Sequence, residues 1–270
     1  MDWSETVAVN RSHWEALATL HGEGRDGYYD VEGLVAGADS LLDAEALAVG
    51  DVAGQDVLHV QCHLGFDAIS LARRGARVTG VDFAPTALAK ARALAGRCGV
   101  GIEYVEADVL ALPPALHGRF DTAYATIGVL MWIADVDAWM RSVVRTLRPG
   151  GRLVLVELHP LLNTIASLDP LVLDFPYAAA GPRGFEEDGS YAAPQANVEA
   201  RASVQYGHSL GEIVTAALGA GLTVEALREH LDVELDPRGN LLPRDPDGRH
   251  RLRVSGEQLP ILFTLVAARS

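Results

Sequence analysis

The sequence predicts an α/β fold: a doubly wound, mostly parallel seven-stranded sheet with helices on both faces and an antiparallel hairpin at its C-terminal edge. Three observations lead there. Apolar, β-rich runs alternate with helical segments from about residue 55 to 160. Polar side chains gather just after those runs, and the chain closes on two long β-rich segments. Strand, helix, strand in repetition implies parallel strands joined by right-handed crossovers.

The elements follow in order. DVLHV (56–60) is a short apolar strand, and AISLARRGA (68–76) has helical spacing until Gly75 stops it. ARVTGVDF (76–83) reads as the second strand. PTALAKARALAGRCG (85–99) opens on proline, is dense in Ala, Leu, Lys and Arg, and ends in glycine, which marks a helix. IEYVEADV (102–109) and FDTAYATIGV (120–129) are the third and fourth strands. DVDAWMRSVVRTL (135–147) is a helix, and the turn RPGG introduces a fifth strand, GRLVLVELH (151–159). Residues 160–205 are rich in Pro, Gly, Ala and Asp with weak periodicity, as in an irregular functional excursion. Ser209 three residues before Glu212 fits a capping box on SLGEIVTAALGAGL (209–222), and VEALREHLDVEL and LPILFTLVAARS make the final strand pair. The expected layout is one domain over 1–270: a helical N-terminal cap (1–50), a core (51–160), an insertion over the site (161–208) and a C-terminal helix with two strands (209–270).

Composition agrees with one substantial core. The chain has 270 residues, 49% hydrophobic and 21% charged, which is globular and not disordered. Its net charge of -14 argues against nucleic acid, whose binding relies on Lys and Arg displacing counterions. The first twenty residues lack a signal-peptide pattern, and no segment stays apolar for a bilayer's width, so a cytoplasmic protein without membrane attachment is expected. Cys62 and Cys98 form no disulfide framework and read as thiols. The exposed insertion and apolar last strands would allow a homodimer.

In an open parallel sheet, ligands lie beyond the carboxyl ends of the strands. Those positions hold QCHLGFD (61–67), Asp82 and Phe83, Ala107 to Val109, ATIG (125–128, with Thr126), and His159 before Pro160. Asp82, about 20 residues after the first loop, is placed to accept both hydroxyls of a nucleoside ribose, since a carboxylate is acceptor-only. It would also serve as a helix-capping Asp before Pro85. Asp108 could accept from an adenine amine with Val109 against the ring, or be an ordinary strand-end Asp. Together the two fit one adenosine.

These stretches resemble the class I, Rossmann-like, S-adenosylmethionine-dependent methyltransferases. VLHVQCHLGFDAISLARRGARVTGVDFAPTALAKARALA is similar to their nucleotide-binding half, and EADVLALP, FDTAYATIGVLMW and LRPGGRLVLVE follow in the family's order. ELHP, EEDGSYA and HSLGEIVTAAL resemble a bacterial subgroup acting on small molecules, with a QCHxG first loop. The resemblance implies S-adenosyl-L-methionine as cofactor, S-adenosyl-L-homocysteine as product, a small-molecule acceptor, and Gln61, Cys62, His63 and Gly65 along the methionine end. It also implies that Tyr29 and Trp132 close over the cofactor. The family's loop usually reads acidic-x-Gly-x-Gly-x-Gly. Here His59, Gln61 and His63 occupy the acidic and first two glycine positions, where a turn at positive φ tolerates a side chain poorly.

His59, Cys62 and His63 are also zinc-ligand types, but a strand running into a tight turn rarely converges on tetrahedral geometry, and no metal is expected. Asp67 could cap the following helix, face the cofactor's amino group, or both. For a hydroxyl or amine acceptor a base is wanted. His159, where the fifth strand opens toward the site, and His208, before the capped helix, are the candidates, each with an alternative as a buried structural histidine. An NAD(P)-dependent oxidoreductase and a non-catalytic cofactor-binding protein are the competing functions. Gln61 and His63 would crowd a pyrophosphate, which disfavours the oxidoreductase.

Overall fold

The structure is a computed structural model that describes residues 3–22, 28–178, 181–186, 188–193, 195–239 and 241–270. Its main sheet has seven strands: β1 (Asp56–Val60), β2 (Arg77–Asp82), β3 (Glu103–Glu106), β4 (Phe120–Thr126), β5 (Leu147–Leu158), β6 (Leu222–His230) and β7 (Leu262–Arg269). Their spatial order is β6-β7-β5-β4-β1-β2-β3. β1 to β5 run parallel, and β7 lies antiparallel to both β5 and β6. The expected doubly wound sheet with an antiparallel terminal pair is the architecture found.

The helices are α1 (Trp3–His21), α2 (Val31–Ala36), α3 (Asp43–Val49), α4 (Phe66–Arg73), α5 (Pro85–Arg97), α6 (Val136–Thr146), α7 (Pro160–Thr164) and α8 (Leu210–Gly219). Strand alternation divides the core between the two faces. Leu58, Val60, Ala123, Ala125, Leu153 and Leu155 pack against Trp139, Met140 and Val143 of α6 and Ile213 and Ala217 of α8. Val57, Tyr124, Val154 and Val156 pack against Ala48 and Val49 of α3 and Ala68 and Leu71 of α4. A third cluster ties α5 to α2 and the first loop through Leu34, Cys62, Ile69 and Leu88.

Several boundaries differ from expectation, each for a local reason. The third strand ends at Glu106 because Asp108 turns back to cap a short 3-10 helix, Val109–Ala111. The fourth ends at Thr126, before the left-handed turn at Gly128 (φ 87°). The terminal strands pair but do not form a tight hairpin. After β6 the chain builds a small sheet from Asp232–Val233, His250–Val254 and Glu257–Leu259 before returning as β7. β7, apolar on both faces, takes the inner place, and the charged, alternating β6 takes the edge. The excursion after β5 is more regular than expected, with α7 and two ribbons, Ile165–Leu168 with Leu171–Leu173 and Arg183–Glu186 with Ala202–Gln205. No helix among the described residues is long and apolar enough to cross a membrane.

Candidate active site

A cavity of about 1040 Å³ opens at the carboxyl ends of β1, β2 and β4, roofed by α1, the Tyr28–Asp30 segment and the excursion after β5. Its floor is the loop Gln61–Gly65. Gln61 (φ 55°), His63 (φ 47°) and Gly65 (φ 72°) alternate in the left-handed region, so the chain keeps glycine-type geometry with two large side chains. Each such residue costs roughly 1–2 kcal/mol. Gly65 must stay bare as well, since a Cβ there would come within 2.4 Å of the Tyr104 hydroxyl.

Side-chain bonds hold this loop in place. Gln61 donates through Nε2 to the Val129 carbonyl at 3.2 Å and accepts at Oε1 from Trp139 Nε1 at 2.8 Å, tying the loop to β4's exit and to α6. Asp82, at the end of β2, accepts at Oδ2 from the His63 backbone N–H and at Oδ1 from that of Ala84, both at 2.9 Å. Its burial pushes the carboxyl up to about 6, partly offset by those backbone bonds. Beyond β4, Glu157 gathers backbone N–H bonds from Gly128, Val129 (2.8 Å), Leu130 (2.9 Å) and Leu158, ordering the loop that carries Trp132.

Above the floor stand aromatic rings. Trp14 meets Trp132 edge-on at 5.2 Å and His63 at 5.0 Å, and Tyr29 lies 5.2 Å from Phe66. The Tyr29 and Tyr191 hydroxyls are 2.6 Å apart, joining the segment before α2 to the excursion. His63 Nε2 is 2.9 Å from His21 Nδ1, and His21 Nε2 is 2.9 Å from Ser190 Oγ, a chain running from the cavity through α1 to the excursion. Burial, with each ring facing a second histidine, brings His21 down to about 3 and His63 well below the usual imidazole range. Both are neutral at pH 7.

Of the residues singled out from the sequence, Tyr29, Gln61, Cys62, His63 and Gly65 line the cavity, as do Asp82, Phe83, Thr126 and Trp132. The other four do not. Asp108 accepts from its own Leu110 N–H at 2.9 Å, and Val109 is buried in the core beneath α6. His159 is a correction: Nδ1 accepts from Leu161 N–H at 3.2 Å, capping α7, and Nε2 lies 2.9 Å from Glu229 Oε1 of β6. His208 is another, its buried Nε2 donating to the Ile133 carbonyl at 2.6 Å. The His208 ring joins two elements, and the His159 ring lies between α7 and β6.

Sequence reading missed His21, Trp14, Ser190 and Glu45, which enter the site from segments without a motif. One signal was available: α1 repeats His or Trp at 13, 14 and 21, a spacing that points toward one helical face. Among the described residues no three His, Cys, Asp or Glu side chains are grouped to hold a metal ion.

Residues 58–155 match the family model described as a methyltransferase domain. A demethylmenaquinone methyltransferase from Thermus thermophilus is 43% identical over 86 residues, covering 32% of this chain and 38% of its own. The chain spans less than half the length of the curated relatives it matches. An S-adenosylmethionine-dependent methyltransferase from Mesorhizobium loti superposes with a TM-score of 0.61 at 23% identity, over 87% of this chain and all of that one. The Burkholderia thailandensis 1,6-didemethyltoxoflavin-N1-methyltransferase, solved with bound 1,6-didemethyltoxoflavin and S-adenosylhomocysteine, gives a TM-score of 0.56 at 19% identity over 100% of this chain and 91% of that one. At such identities the shared property is the fold. Residues 58–155 are thus similar to a methyltransferase domain, and the chain has the Rossmann-like fold of these solved methyltransferases.

Proposed function

We propose that this protein transfers a methyl group from S-adenosylmethionine to a small, ring-bearing acceptor. The observation that carries this reading is one cavity with two differently built halves: a polar floor at the ends of β1, β2 and β4, and an aromatic chamber under α1 and the excursion. Its volume is at the upper end of small-molecule sites, roughly 300–1,000 Å³, room for a nucleoside donor and an acceptor together. The sheet supports it too, because a dinucleotide fold places its strands in the order 3-2-1-4-5-6, whereas here antiparallel β7 is inserted between β5 and β6.

The residues fit the donor. Asp82 has acceptor capacity for ribose hydroxyls, Phe83 flanks it, and Thr126 and the loop Gln61–Gly65 continue the floor toward β4. The QCHLG loop is a working variant of the glycine-rich one, since its side chains are bonded in place at left-handed φ. S-adenosylmethionine supplies an electrophilic methyl on a sulfonium, and its transfer is an in-line displacement. What the chain contributes is placement and dryness: Trp14 and Trp132 can orient a cation by about 0.5–2 kcal/mol, and the rings exclude water.

His63 is the residue we assign to the acceptor's proton. Its Nε2 is held by His21, and its Nδ1 has no hydrogen-bond partner among the described residues. A neutral imidazole there accepts the X–H proton at Nδ1 as the methyl–X bond forms and the methyl–sulfur bond breaks, with His21 and Ser190 behind it. A weak base suffices, because a methylated, still protonated acceptor is a far stronger acid than the acceptor itself. The ring-bearing class rests on the aromatic lining, and the relatives named for demethylmenaquinone and 1,6-didemethyltoxoflavin are in keeping with it.

The test is titration calorimetry with S-adenosylhomocysteine, NAD and NADP, followed by isotope-labelled methyl transfer from S-adenosylmethionine to a panel of phenols, quinols and heterocyclic amines. Binding of S-adenosylhomocysteine alone and label in a ring compound are expected. Binding of a nicotinamide nucleotide instead would overturn the reading, and cofactor binding with no label transferred would favour a non-catalytic protein.

A further inference from the structure

The aromatic chamber of the cavity is walled by the excursion after β5, and two side-chain amides of that wall lack partners. Gln205 ends the strand Ala202–Gln205 and lines the cavity. It is 8% exposed, yet its side chain makes no hydrogen bond among the described residues. Residues directly opposite in an antiparallel pair share a face, as do residues two apart on one strand. Phe185, opposite Ser203 and so on the Gln205 face, lines the cavity as well. Asn163, on α7, lines the same cavity, and its buried Oδ1 has no hydrogen-bond partner in the protein. Buried polar groups are almost always partnered, so two such amides on one cavity point to a ligand.

The amides belong to one continuous surface. The N–H groups of Asp174 and Phe175 donate to the Thr164 carbonyl, next to Asn163, at 3.0 and 3.5 Å, and the Phe175 ring lies 5.9 Å from that of Phe185. At its other end the Tyr206 N–H, next to Gln205, donates to the Met131 carbonyl at 2.8 Å, anchoring the strand beside the turn that carries Trp132. Trp14 then stands between Trp132 and His63, 5.2 and 5.0 Å from the two rings. The charged side chains of the wall are engaged within the protein: Arg183 with Asp174, Arg201 with Asp188, and Arg238 with the Leu162 carbonyl. What the wall offers a ligand is therefore neutral, N–H donors and carbonyl acceptors in place of a counter-ion.

We propose that Gln205 and Asn163 select the acceptor, and that this acceptor is a neutral ring compound with a lactam- or imide-type edge, a ring carbonyl beside a ring N–H. This rests on the methyl-transfer reading above and narrows its acceptor class. A primary amide carries two N–H donors and an acceptor oxygen, so the group that satisfies it has both a carbonyl and an N–H. The rings of Phe175 and Phe185, which line the same wall, suit a flat ring held by that edge. Both amides lie outside residues 58–155, the stretch that matches the family model, so the preference they set is particular to this chain's excursion.

The experiment compares two flat bicyclic probes of the same shape: quinolin-2-one, which has the N–H and the carbonyl, and coumarin, which keeps the carbonyl but has a ring oxygen where the N–H was. Each is titrated by calorimetry, with and without saturating S-adenosylhomocysteine, into wild type, Gln205→Leu and Asn163→Leu. In wild type the lactam should bind about ten- to a hundredfold more tightly, because the ring oxygen leaves a buried amide unpaired. In each variant that gap should shrink to about threefold or less, with S-adenosylhomocysteine affinity within about threefold of wild type showing an intact fold. Equal binding of the two probes to wild type, no binding of the lactam, or an undiminished gap in either variant would overturn the subsite while leaving the cofactor reading in place. The expected gap in a protein that binds no S-adenosylhomocysteine would instead uphold the subsite and overturn the cofactor reading.

Discussion

The backbone N–H of His63 donates to Asp82 Oδ2 at 2.9 Å, so the residue at a left-handed turn of the first loop is tied to the carboxylate that ends the second strand. The shape of the loop and the proposed nucleoside contact therefore depend on one side chain.

Asp82→Ala should show both losses together. Two backbone N–H groups, of His63 and Ala84, lose their acceptor, which costs roughly 1–3 kcal/mol each where water does not replace it. Calorimetry should find S-adenosylhomocysteine binding weakened at least about tenfold, with Tm lowered in the same variant. Asp82→Asn, which retains one oxygen acceptor, should fall between.

Gln61 makes a test of backbone strain against side-chain bonding. Gln61→Ala keeps φ near 55° and leaves the Trp139 indole N–H buried without its acceptor. Gln61→Gly loses the same bond but removes a left-handed penalty of roughly 1–2 kcal/mol. Thermal unfolding should rank wild type above Gly and Gly above Ala, although glycine is the smaller residue. The reverse order would show that the loop is not strained.

His63→Asn tests the proton acceptor once a methylated compound is found. kcat is expected to fall about 10²- to 10⁴-fold, with S-adenosylhomocysteine affinity within about threefold of wild type. His21→Asn, acting only through His63, should lower kcat less and change its pH profile.

Glu45 should leave a signature in stability against pH. Its carboxyl is raised from the ordinary range to about 8, so the folded state holds a proton that the unfolded chain releases earlier. The group's contribution is complete below about pH 4.5 and is lost as pH rises through 8. Glu45→Gln does not titrate. Its Tm relative to wild type should therefore climb between pH 5 and 8, by at least about 2–4 °C if the cost reaches 1 kcal/mol. A constant difference across that range would contradict the buried, unpaired state.

His159 and His208 should behave as structural residues. Replacing either with Ala removes a bond that joins separate elements, His159 to β6 and His208 to the loop after β4, and is expected to cost about 1–3 kcal/mol in denaturant unfolding. S-adenosylhomocysteine affinity should be unchanged. A variant of normal stability that is catalytically dead would reinstate it as a base.

The floor of the cavity was legible because strand ends are readable from apolar runs, and in a parallel sheet those ends converge. Gln61, Asp82 and Thr126 each follow such a run, and each lines the cavity. His159 also follows a run, but the side chain there turns to Glu229 of β6 and caps α7, a choice made by partners distant in sequence. Asp108 is the same lesson at short range, since its carboxylate satisfies an N–H two residues on.

By itself the sequence determined the order and type of the main elements, the parallel core with its antiparallel terminal pair, and the loop positions facing a ligand, because these depend on periodicity and on local turn chemistry. Only the tertiary structure decided which titratable groups share the cavity. His21 meets His63 across 42 positions, Ser190 meets His21 across 169, and Glu45 reaches Thr126 across 81. Such meetings are set by how helices and the excursion pack over the sheet, and burial, which neutralises these histidines and raises these carboxyls, exists only once that packing has formed.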